Sequence, residues 1–115
     1  MSTTTDNAIT ERLVLDGELT VRTIAPVHAK LSALLERARR LELELGAAGP
    51  IDVSFIQLAL AARRSAAAAG KQVVWARPAS GPLREVLIRG GFVSPIAGHA
   101  SAAETWWSTK AEAGR

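Results

Sequence analysis

Leu41-Glu42-Leu43-Glu44-Leu45, then Ile51-Asp52-Val53-Ser54-Phe55-Ile56-Gln57-Leu58, then Gly70-Lys71-Gln72-Val73-Val74-Trp75-Ala76 form the stretch on which the fold turns. The first run alternates apolar and acidic residues strictly, the period of a strand with one buried face. Gly46 to Pro50 break that pattern. From about Ser54 to Ala69, Phe55, Leu58, Ala59, Ala62 and Ala66 share one helical stripe. Asp52 or Ser54 is placed to cap the first turn, and Gly70 to end the last. Leu60 falls on the opposite side, near Gln57 and Arg64. The run Gln72 to Ala76 reads as the next strand. Strand, helix and strand at this spacing demand parallel neighbours joined by a crossover.

Outward from this unit the pattern continues. Upstream, Val27, Leu31, Leu34, Leu35 and Ala38 make one apolar helical face behind Pro26, with Lys30, Glu36, Arg37, Arg39 and Arg40 elsewhere. Earlier still, Arg12-Leu13-Val14-Leu15, Asp16-Gly17 and Glu18-Leu19-Thr20-Val21 read as two short strands about a turn, a β-hairpin. Downstream, Pro78 to Pro82 form a loop, and Leu83, Val86 and Leu87 mark a third helix ending at Gly90-Gly91. Phe92-Val93 predict a short final strand. The expected order is β-β-α-β-α-β-α, an α/β fold with a mixed sheet of four to five strands.

The chain has 115 residues, enough for one domain, and residues 1–8, small and polar with nothing to bury, are expected to be a disordered N-terminus. The absence of cysteine excludes a disulfide framework, a thiolate metal site and a cysteine nucleophile. A net charge of +3 is ordinary, and nucleic-acid binding would need several phosphates neutralised by one clustered face. Arg37, Arg39, Arg40 and the Arg63-Arg64 pair lack interleaved aromatics, so solvated helix faces explain them more simply. No apolar run reaches membrane-spanning length, and the start, Met1-Ser2-Thr3-Thr4-Thr5-Asp6, lacks the features of a signal peptide. The expectation is a soluble cytoplasmic chain without nucleic acid or membrane insertion.

Catalytic material is thin. Neither G-x-x-x-x-G-K-[ST] nor G-x-G-x-x-G occurs, so the common phosphate cradles are missing. His28 and His99 have no ligand partner at helical spacing, which leaves no metal site and no cofactor to expect. Glu42 and Glu44 share a strand face, where solvation explains them better than paired acid–base work. An enzyme is not expected.

The stretch Leu41-Glu42-Leu43-Glu44-Leu45, Ile51-Asp52 and Gln57-Leu58-Ala59-Leu60-Ala61-Ala62-Arg63-Arg64 is similar to STAS domains. So are Ala69-Gly70-Lys71-Gln72-Val73 to Pro78, Leu83-Arg84-Glu85-Val86-Leu87 to Gly90-Gly91-Phe92, and the early Leu15-Asp16-Gly17-Glu18-Leu19. The resemblance covers about residues 11–93 and implies helices packed largely on one face of the sheet. It implies a non-catalytic switch module of bacterial signalling, of the anti-sigma factor antagonist type or associated with chemotaxis or two-component systems. The implied partner is an anti-sigma, histidine-kinase-like ATPase or another signalling protein, with a homodimer left open. The alternatives are an accessory subunit of a phospholipid-transport ABC system and a module sensing a small ligand or nucleotide.

In partner-switching members of that family, a Ser or Thr directly after the aspartate is phosphorylated, which adds charge to a docking surface at a helix N-terminus. Here that position is Val53, branched like threonine but without a hydroxyl. Ser54 is the nearest candidate phosphoacceptor, with capping as the competing role. The implied docking surface is Asp52, Val53, Ser54, Phe55 and Ile56, with Leu60. A candidate ligand loop is Arg77, Ser80 and Gly81, at the start of the third helix. Residues 9–95 are the expected domain and residues 96–115 an extension. In that extension Ser101-Ala102-Ala103-Glu104 has capping-box spacing before Trp106-Trp107. The two tryptophans either pack on the domain through a short helix or serve as partner or dimer anchors.

Overall fold

The computed structural model describes residues 9–93 and 102–108. Three strands, β1 (Thr10–Leu19), β2 (Arg40–Ile51) and β3 (Gln72–Trp75), lie in the order β1-β2-β3. Helix α1 (Ile24–Arg37) connects the first pair and α2 (Val53–Ala68) the second, followed by α3 (Gly81–Arg89) and the short α4 (Ala102–Ser108). Both strand pairs are parallel. The α/β class and the short C-terminal helix are as expected.

The hairpin is not there. Thr10 to Leu19 is one strand, and Thr20 to Thr23 form a turn rather than a continuing strand. A two-residue hairpin of the Asp-Gly type needs positive φ at both central residues. Among the described residues only glycines have positive φ, so of the Asp16-Gly17 pair Gly17 alone, at 76°, takes that conformation. The pairing with β2 instead shifts between Leu15 and Gly17 and again between Gly17 and Leu19. With no antiparallel pair, the sheet of the described residues is parallel rather than mixed, and it has three strands.

Gly46 to Pro50 continue β2 instead of ending it. Gly46 has no side chain, and that lets Asp16 reach across from β1. A Cβ at Gly46 would sit 2.0 Å from the Asp16 Oδ1 that accepts the Ala47 N–H. Phe92 and Val93 form a bend after α3, with both amides donating to the Leu87 carbonyl, so they add no strand.

Alternation along the strands separates two faces. Leu15, Leu41, Leu43, Val73 and Trp75 are buried on the inner face with Leu31 of α1, Phe55, Ile56, Ala59, Ala62 and Ala66 of α2, and Leu83 and Leu87 of α3. The other face carries Arg12, Val14, Glu42 and Glu44. Glu42 and Glu44 are not simply solvated: Arg12 pairs with both, and Arg77 pairs with Glu44 at 2.6 Å. These exposed pairs contribute little stability each. Of the upstream cations, Arg37 pairs with Glu11 and Arg40 donates to Gln72. His28 is exposed, whereas the lack of order expected of residues 1–8 and the surroundings of His99 lie outside the described residues.

Candidate functional site

The turn into α2 lies at the carboxyl end of β2, where crossover helices of parallel sheets begin. Asp52 is extended, with φ −126° and ψ −178°, and its Oδ1 accepts the Ser54 N–H at 2.9 Å. Asp52, not Ser54, is therefore the cap; Ser54 is the residue whose amide is capped. The second carboxylate oxygen, Oδ2, accepts the Val21 N–H at 3.0 Å, and the Asp52 amide donates to the Leu19 carbonyl. One side chain thus ties the end of β1 and its turn to the start of α2.

That turn is braced from within. Thr23 Oγ1 accepts the Thr20 N–H and donates to the Glu18 carbonyl at 2.7 Å, while Thr20 Oγ1 accepts the Arg22 N–H. Val21, through its N–H, and Val53, as the residue after the cap, are consequently both tied to Asp52. They are 67% and 44% exposed, so two of the four large exposed apolar residues among those described are tied to this one residue. The others, Ile9 and Val14, lie at the start of β1 and on the open sheet face.

The Val21 N–H holds the Asp52 carboxyl below its ordinary value of 3.8, aided by contacts with Ser54 and Phe55 and opposed by partial desolvation. A carboxylate with a depressed folded pKa stabilises the fold above its unfolded pKa, and that contribution is lost as pH falls through the folded pKa. Thermal unfolding of the wild type and Asp52→Asn is therefore expected to differ at neutral pH, with the wild type higher. The gap should close as pH drops below the ordinary carboxylate range. A gap of constant size would show that the carboxylate charge does not hold this turn.

The remaining sequence-derived docking residues do not join this patch. Phe55 and Ile56 are fully buried in the core, and Leu60 is half-buried against it. Ile56 and Leu60, four residues apart, form a second apolar stripe on α2, which packs on α1 as well as on β3. In this conformation neither Phe55 nor Ile56 offers a surface to a partner. Val21, which does, was not legible as a site residue, because its tie to Asp52 crosses 31 positions of sequence.

Arg77, Ser80 and Gly81 do come together. With the middle of β2 and the end of β3 they line a pocket of about 220 Å³, whose walls include Leu43, Glu44, Trp75 and Pro82. Ser80 precedes α3 without a side-chain capping bond, and no acidic residue occupies the first turn. The charge of Arg77 is already met by Glu44. Among the described residues no group of His, Asp and Glu is arranged to hold a metal ion, and no helix is long and apolar enough to cross a membrane.

The tryptophan pair packs on its own domain. Trp107 is 1% exposed and stacks on Trp75 at 5.3 Å, and Trp106 meets both rings edge-on. The capping box expected of Ser101 and Glu104 depends on Ser101, which lies outside the described residues.

A comparison with family models matches residues 2–93 to the family described as Mlab, STAS domain. No match was found among curated proteins or among solved structures.

Proposed function

The chain belongs to the STAS domain family, and from that premise we propose that it is a non-catalytic interaction module that docks a protein partner on the Val21–Asp52–Val53 patch. The observation carrying this reading is the pair of exposed valines, one bonded through its amide to Asp52 and one next to it in the chain, at a carboxylate whose two oxygens are already bonded within the fold. A carboxylate used as a structural tie is poorly suited to proton transfer. Rigid apolar side chains beside it suit a contact that excludes water.

The partner in this reading is an anti-sigma or histidine-kinase-like ATPase or another signalling protein; the alternative pathway is a phospholipid-transport ABC system. The contact runs without phosphorylation at the usual position, because Val53 stands there. Ser54 is half-buried, with its amide held by Asp52. A chain carrying Val53→Asp is expected to lose affinity for the partner while keeping its melting temperature. Unchanged affinity would remove this patch from the interface.

The 220 Å³ pocket favours a second reading, a small-ligand site at Arg77, Ser80 and Gly81. A nucleotide or a phospholipid headgroup bound there should raise the melting temperature by mass action, by about 2.7 kcal/mol of stability at one hundred times its Kd. Arg77→Ala should abolish the shift. A screen of both probe classes with no shift in the wild type would dismiss this reading and leave the docking patch untouched.

A further inference from the structure

Two kinds of unmet donor belong to the wall of the pocket beside α3. Trp75, 3% exposed, forms part of that wall. Its indole N–H is the one buried side-chain polar group among the described residues that bonds to nothing. The neighbouring Trp106 shows the usual outcome, donating its indole N–H to the Val73 carbonyl at 2.7 Å. A buried donor left unpaired is costly, and in a native fold it calls for an explanation. The second kind is the start of α3. Ser80 makes no side-chain capping bond, the first turn carries no acidic residue, and Pro82 has no N–H. The Gly81 and Leu83 amides thus lack the side-chain acceptor with which a capped helix meets its first turn.

The rest of the wall limits what could meet these donors. Leu43, Leu45, Pro78, Ala79 and Pro82 make much of it apolar. An apolar cavity of about 150 Å³ holds benzene, so about 220 Å³ leaves room for one ring and a small polar group. Glu44, in the same wall, pairs with Arg77 at 2.6 Å, which leaves no excess positive charge to hold a dianion such as a phosphate ester. A carboxylate carries a single charge on two acceptor oxygens, one for each kind of donor.

We propose that this pocket binds a small monocarboxylate with an apolar body of about one ring. One carboxylate oxygen sits at the Gly81 and Leu83 amides, the other accepts the Trp75 indole N–H, and the apolar body lies against Leu43 and Leu45. The proposal needs the pocket of the small-ligand reading but not the phosphate of that reading's ligands.

The test is a titration of the isotope-labelled full chain with benzoate, followed by nuclear magnetic resonance. The Trp75 indole N–H signal is expected to move downfield, and the Gly81 and Leu83 amides to move with it along one saturation curve. Benzyl alcohol, which keeps the ring and lacks the charge, should bind about tenfold more weakly or worse. Ser80→Asp places the chain's own carboxylate at the cap. It should weaken benzoate by a similar factor while holding or raising the melting temperature. An unmoved Trp75 indole signal, equal binding of benzyl alcohol, or an unchanged benzoate affinity in Ser80→Asp overturns the proposal. Glycerol 3-phosphate, a headgroup fragment, separates the two readings of the pocket. If it moves the Gly81 and Leu83 amides and benzoate does not, the carboxylate assignment falls and the small-ligand reading stands.

Discussion

Trp107→Ala is expected to lower the free energy of unfolding by about 3–5 kcal/mol, the range for truncating a buried aromatic side chain. The size of the effect follows from where the residue sits. Trp107 is as buried as the central leucines of β2, stacks on Trp75, and meets Trp106 at 4.8 Å between ring centres. Trp75 in turn lies edge-on to Phe55 of α2. Removing Trp107 therefore opens a cavity shared by β3, α2 and α4, and the seven-residue helix has too few contacts left to close it. Urea unfolding at low protein concentration measures the loss. Because all three tryptophans of the chain lie in this one cluster, their emission should shift to the red in the folded variant. A loss well under about 1 kcal/mol would be the size of a surface substitution and would mean that the C-terminal helix does not brace the domain.

Val53→Asp is expected to weaken the partner complex by tenfold or more, about 1.4 kcal/mol at least, with no comparable loss of fold stability. Val53 opens α2 and projects into solvent, so a carboxylate there pays little within the isolated chain. An acidic side chain is even favoured at a helix N-terminus. In a complex the same carboxylate would have to be stripped of water beside Asp52, a second negative charge, and this is costly. Val14→Asp supplies the control: Val14 is 49% exposed but lies on the open sheet face, away from the patch. Equal losses from both substitutions would point to general charge repulsion instead of a defined contact.

The sequence conveyed the crossover unit well because its signals are local. The alternation from Leu41 to Leu45, the cap at Asp52, the stripe on α2 and the stop at Gly70 each depend on residues within a few positions of one another. The hairpin failed for the opposite reason. Asp16-Gly17 carries a strong turn signal, but the competing partner, β2, lies about thirty residues on, and Gly17 serves a shift in parallel register instead. The same distance hid the site. Asp52 was legible as a cap, whereas its second oxygen belongs to Val21, a residue whose place on a turn follows only from the missing hairpin. Ile56 is buried and Leu60 half-buried because α2 is covered on two sides, by α1 and by β3, which neither its single legible stripe nor the family resemblance conveys. The choice for Trp106 and Trp107, packing or anchoring, had no local answer, since the acceptor is the Val73 carbonyl.

Site-specific photo-crosslinking from the two exposed valines compares the patch with the rest of the surface in one experiment. A benzophenone side chain at position 53 is expected to capture one polypeptide in the native cell, and the same group at position 14 to capture none of it. Val21→Asp should abolish the adduct. Capture of that polypeptide from position 14 alone, or equally from both positions, would contradict docking at the start of α2.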